Sequence, residues 1–100
     1  FTANFPMPPG TGYDEWGSAM DDAIGRIADY SPDALVVSLG VDTFEHDPIS
    51  FFRLKSDDFT DYGGRIAKLK LPTLFCMEGG YAVEEIGINT VNVLEGFENG

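Results

Sequence analysis

The sequence predicts an α/β fold, parallel β-strands with flanking helices. Three observations carry that reading. Two short apolar runs, residues 34–39 and 73–77, are each bounded by turn residues. A continuous apolar run of that length suits a strand covered on both faces, as in a parallel sheet. A stretch of helical period lies between them, the arrangement of a right-handed βαβ crossover. Further helical periods stand before the first run and after the second, so the expected order is α, β, α, β, α.

Residues 1–13, FTANFPMPPGTGY, form a Pro/Gly-rich lead-in loop, because Pro6, Pro8 and Pro9 favour an extended, turning path. PPGTG is not a phosphate loop, since no Gly-Lys-Ser/Thr follows it. Residues 14–30 read as the first helix. Trp16, Met20, Ala23, Ile24, Ile27 and Ala28 recur at helical spacing, and Asp14 and Glu15 suit the positive end of the helix dipole. Ser31 precedes Pro32 and is pushed out of helical angles, which ends the helix. Residues 34–39 are the first strand, and 40–55 a loop without a strong period. The second helix is expected over 57–69, with Ser56 as N-cap and Phe59, Tyr62, Ile66 and Leu69 on one face. Pro72 opens the second strand, 73–77. The third helix is expected over 84–97 with Ile88, Val91 and Leu94 inward. Gly87, Asn89 and Asn92 weaken its propensity.

Apolar residues make up 43% of the 100 residues and aromatics 13%, enough to build a core. That length gives one domain at most, or part of one, with a thin stability margin. The formal net charge of -11 argues against nucleic acid, whose phosphates need a basic surface. It suits a cationic substrate by long-range attraction, or is simply a soluble acidic surface. No stretch is long enough to span a membrane. The single cysteine, Cys76, allows no internal disulfide, so a reducing, cytoplasmic setting is the expectation. It sits inside TLFCM and reads as a small core residue, not a nucleophile.

Ligands of open α/β sheets sit beyond the carboxyl ends of the strands. Two loops leave such ends here, GVDTFEHDP and MEGGY. If the strands are neighbours, Asp42 and Tyr81 face one crevice. Three roles are open to Asp42: metal ligand, general base or structural cap. Glu45, His46 and Asp47 share its loop, but their spacing on irregular backbone fixes no metal geometry. His46 reads as a solvent-exposed loop histidine. Asp47 precedes Pro48 and reads as a turn residue bonding nearby backbone amides. Tyr81 follows two glycines, which permit close backbone approach. Its phenol is either a packing group or a donor to a developing oxyanion.

SLGVDTFEHDP and MEGGY together resemble the zinc-dependent deacetylases, the family that includes histone deacetylases. NFPMPPGTG is similar to that family's Pro-Pro-Gly-Thr loop. DPISFF and EEIGINTVNVL resemble the acetylpolyamine amidohydrolase branch. The resemblance covers the whole chain, in the family's order. It implies a partial arginase/deacetylase-like fold, a single catalytic zinc in the complete domain, and hydrolysis of an acetyl amide on an acetylated polyamine or acetyl-lysine. Asp42 matches the aspartate that supplies one metal ligand. Tyr81 matches the tyrosine that hydrogen-bonds the acetyl oxygen. Ile49 falls on an apolar wall of the substrate tunnel, and Gly79 and Gly80 shape its floor.

The departures bear on activity. The family's Asp-x-His pair and tandem histidines are absent, and with His46 the only histidine neither could be formed. The resemblance therefore implies the carboxyl-terminal portion of a deacetylase catalytic domain, inactive by itself. The alternative is a non-catalytic structural or interaction module derived from that fold; a third reading, a small cation binder built on Asp42, Glu45, His46 and Asp47, ranks below both. In each case the strands and helix faces would be left partly uncovered, and self-association is expected.

Overall fold

The computed structural model of the protein describes residues 2–100; Phe1, the start of the lead-in loop, lies outside the described residues. The elements follow the expected order: α1 (Tyr13–Tyr30), β1 (Leu35–Leu39), α2 (Ser56–Ala67), β2 (Thr73–Met77) and α3 (Ile86–Asn99). Tyr13 belongs to α1 and not to the loop, because Gly12 is the extended residue that begins the helix. At the other end Ser31 adopts left-handed angles (φ 57°, ψ 55°), and its N–H closes onto the carbonyls of Ile27 and Ala28. Ser56 is helical and caps nothing. The capping contact is Asp58, whose carboxylate accepts the Lys55 N–H at 2.7 Å.

β1 and β2 pair in parallel, Leu35 opposite Thr73 through Leu39 opposite Met77, with α2 as the connection. The strands were expected to be covered on both faces. Among the described residues only one face is: Leu35, Val37, Leu39 and Phe75 turn toward the core, whereas Val36 and Leu74, opposite each other in the register, are 64% and 59% exposed. Alternation along a strand leaves every second side chain on the open face when helices pack on one side alone.

The core gathers Leu39 from β1, Phe59, Tyr62 and Ile66 from α2, and Val93 from α3. It also takes Val41, Phe44 and Leu54 from the long loop. Although that loop has no period, a bridge between Phe44 and Leu54 pins it; Glu45 N–H donates to Leu54 O at 2.7 Å.

α3 presents a different face from the expected one. Ile88, Val91 and Leu94 are exposed, and the inward positions are Asn89, Val93 and Gly96. Backbone proximity explains the choice. Gly63 of α2 lies against the Val93 carbonyl, and Gly96 of α3 lies against the Thr60 carbonyl, so the helices touch main chain to main chain. Asn92 Nδ2 adds a hydrogen bond to Ser56 O at 2.9 Å. Asn89 is buried there, and its side-chain amide bonds to no protein group among the described residues.

α1 packs on α2 through Trp16 against Tyr62, ring centroids 4.8 Å apart, and through Arg65. Arg65 donates to Gly17 O and Asp21 at 3.1 Å and to Asp61 at 2.8 Å. Tyr13 donates its hydroxyl to Asp61. That bond lowers the Asp61 carboxyl below its ordinary 3.8, against burial and with help from Arg65. Burial, then the bond and charge of Asp61, raise the Tyr13 phenol above its ordinary 10.0. A depressed carboxyl stabilises the fold above its unfolded pKa and loses that contribution as pH falls through the folded value. A raised phenol contributes below its unfolded pKa and loses it as pH rises toward the folded value. Urea midpoints are therefore expected to be flat from about pH 5 to about pH 9 and to fall on both sides. Tyr13→Phe should shallow the alkaline fall. An unchanged alkaline arm would contradict the assignment.

Candidate functional site at the carboxyl ends of the strands

The parallel ladder continues past both strands. Glu78 N–H donates to Leu39 O at 2.8 Å, and Val41 N–H donates to Gly79 O at 2.9 Å. These two bonds set the loop after β1 alongside the loop after β2. Asp42 is thereby delivered over Gly79. A side chain on Gly79 would overlap the Asp42 carboxylate and stand 3.5 Å from the Tyr81 hydroxyl. The carboxylate and the phenol thus converge on the space above one glycine, as the strand-end rule led the sequence reading to expect.

Gly80 is required for a different reason. Its φ is 149°, and a Cβ there would lie 2.7 Å from Val41 Cγ2 and 3.0 Å from Ile86 Cδ1. Any L side chain strains the backbone and meets the core at once. Tyr81 is 47% exposed, so its ring is not a core residue. Ile49 is also exposed, on the turn that follows Asp47. The Tyr62 phenol lies beneath this region, pushed up first by burial and then by the negative charge of Asp42.

Asp47 has a larger part than the sequence suggested. It is 7% exposed, and its Oδ1 accepts the N–H groups of Ile49 at 2.9 Å and Ser50 at 3.0 Å, the expected local turn. Its Oδ2 accepts the Tyr81 N–H at 2.9 Å, far away in the chain. Burial pushes this carboxyl up; the amides of Ile49, Ser50, Tyr81 and Ala82 outweigh it, and the group titrates below its ordinary value. Only the Asp-Pro turn was visible in sequence.

The other residues of the loop do not join the site. Glu45 and His46 are exposed, and His46 stands edge-on to Phe44 with centroids 5.5 Å apart. Among the described residues no three His, Cys, Asp or Glu side chains converge to hold a metal. A catalytic zinc takes three protein ligands. Asp42 offers one carboxylate, so the residues of this chain do not by themselves fit the ion. A surface groove between α1, α2 and the end of α3 is lined by residues such as Asp21, Thr60 and Arg65, and includes none of Asp42, Ile49 or Tyr81. Among the described residues, no helix is long and apolar enough to cross a membrane.

Comparison with known proteins bears on the family and the fold. Residues 1–97 match the histone deacetylase domain. The chain is 65% identical over 95 residues to acetylpolyamine amidohydrolase 1 of Pseudomonas aeruginosa, covering 95% of itself and 28% of that protein. It is 57% identical over 95 residues to the acetylpolyamine amidohydrolase of Mycoplana ramosa, with 95% and 28% covered. The crystal structure of acetylpolyamine aminohydrolase from Burkholderia pseudomallei superposes with a TM-score of 0.90 at 38% identity, over 94% of this chain and 28% of that one. The histone deacetylase Clr3 superposes at 0.83 and 20% identity, over 92% and 16%, a likeness of fold. The chain thus spans little more than a quarter of the length of the acetylpolyamine amidohydrolases it matches. Its α/β architecture is part of the deacetylase fold, and the chain belongs to the histone deacetylase family.

Proposed function

We propose that this chain supplies one carboxylate and one phenol to a zinc-dependent amidohydrolase that removes acetyl groups from acetylated polyamines or acetyl-lysine. The observation that carries the reading is the convergence of Asp42 and Tyr81 over Gly79 at the strand ends. Hydrolysis adds water to the acetyl carbonyl, and the carbonyl oxygen gains negative charge in the tetrahedral intermediate. The Tyr81 hydroxyl donates to that oxygen, which is worth more as the charge develops. Asp42 would supply one ligand to the zinc, which when bound would polarise the acetyl carbonyl. Ile49 forms an apolar wall beside the acyl group. Gly79 and Gly80 leave the floor clear. The net charge of -11 favours the polycationic substrates of the acetylpolyamine branch.

The open faces fit the same reading. Val36 and Leu74 on the sheet, and Ile88, Val91 and Leu94 on α3, are apolar and exposed. We infer that complementary parts of a deacetylase domain cover them. The chain alone is expected to self-associate through these faces in sedimentation, and Leu74→Lys with Leu94→Lys should reduce the association. A monomer at high concentration would contradict this.

The experiment for the function pairs zinc analysis with acetate release. The chain alone should hold no stoichiometric zinc and turn over neither substrate. Both properties should appear once a complementary amino-terminal portion of a related deacetylase is added. Metal-free folding with no gain on complementation would favour the non-catalytic module. Turnover by the chain alone, abolished in Asp42→Ala, would overturn the claim of an incomplete site.

A further inference from the structure

Asp47 is a buried carboxylate whose acceptors are divided between two loops. Oδ1 serves the amides of Ile49 and Ser50 in its own turn, and Oδ2 serves the Tyr81 amide across a separation of 34 residues. A bond to an ionised carboxylate is stronger than one between neutral groups, so the Tyr81 N–H to Asp47 bond is a firm polar tie between the segments that carry Ile49 and Tyr81. The ladder bonds from Val41 and Glu78 reach only as far as Gly79. Beyond it lie Gly80, which no side chain restrains, and then Tyr81.

We propose that Asp47 is a positioning residue, which locks the loop of Tyr81 to the turn of Ile49 and so fixes the phenol over Gly79 beside Asp42. The catalytic meaning of that position rests on the function proposed above; the lock itself does not. Without Asp47, Tyr81 keeps its hydroxyl but samples a wider range of places. In the complete enzyme this lowers kcat and leaves KM nearly unchanged, because the donor is needed when the oxyanion forms.

Amide hydrogen exchange in the chain reads the lock without any turnover. Asp47→Ser is the first variant. A serine hydroxyl holds the local turn in the same way, but it is too short to reach Tyr81 as well. The Tyr81 amide should then exchange about tenfold faster or more, the loss of one charge-assisted bond, while Ile66 and Val93 in the helices are unchanged. Should Asp47→Ser unfold, Asp47→Asn is read the same way. Its single carbonyl can serve the turn or the distant loop, and its amide group turns a donor toward donors. Unchanged exchange at Tyr81 overturns the proposal. So does an equal acceleration at Ile66 and Val93 in both variants, which would make Asp47 a general determinant of folding. Faster exchange at Tyr81 in a chain whose complemented parent shows no turnover leaves the lock standing and removes the function. Faster exchange together with a kcat loss of about tenfold at constant KM supports both.

Discussion

Tyr81→Phe is expected to lower kcat about 10²–10³-fold in an enzyme completed with this segment, with KM changed little. The phenylalanine keeps the ring and removes only the hydroxyl. That hydroxyl lies near the Asp42 carboxylate over Gly79, where a carbonyl oxygen gaining charge would need a donor. The ring is 47% exposed and outside the core, so stability should move by no more than about 0.5 kcal/mol. Activity and folding are therefore separable at this position. Steady-state kinetics with an acetylated polyamine, read beside a urea titration, checks both. A kcat within about threefold of the parent would remove Tyr81 from the chemistry.

Gly63→Ala should cost about 3 kcal/mol or more. The new carbon would overlap the Val93 carbonyl oxygen and lie 3.0 Å from its carbon and 3.1 Å from the Phe97 nitrogen. All three are backbone atoms of α3, so no rotamer relieves the contact and the helices must separate. Gly96→Ala does the same from the opposite side, against Thr60 and the Gly64 nitrogen. A domain of this size has a total stability of about 5–15 kcal/mol, so the double substitution should unfold it. Gly25 is the internal control. It is in the middle of α1 with open space where a side chain would go, and Gly25→Ala should stabilise by about 0.5–1 kcal/mol. Equal effects at Gly25 and Gly63 would contradict the close approach of α2 and α3.

These glycines also show where sequence reading succeeds and where it stops. Helix α2 was legible because Phe59, Tyr62 and Ile66 share a face and are buried together. Helix α3 was legible as a helix but not in its orientation. Ile88, Val91 and Leu94 make the more apolar stripe, yet Gly63 and Gly96 select the opposite contact by letting two backbones meet. Periodicity weighs side chains and is blind to that. The same limit hid Val41, Phe44 and Leu54, buried side chains on a loop without a period. The uncovered face of the sheet was missed because Val36 and Leu74 are as apolar as their neighbours. Within the site, the meeting of Asp42 and Tyr81 followed from strand order alone. Asp47 was assigned its turn and not its reach to Tyr81, because nothing local signals a partner 34 residues on.

Residues 1–97 are expected to carry a working share of a deacetylase site. They can be transplanted in place of the matching segment of Pseudomonas aeruginosa acetylpolyamine amidohydrolase 1. Acetate release and bound zinc are then measured with and without Asp42→Ala. The expected result is turnover with stoichiometric zinc in the transplant, and loss of both in the variant. A folded, zinc-loaded transplant that releases no acetate, or an Asp42→Ala transplant that keeps its zinc and its rate, would contradict it.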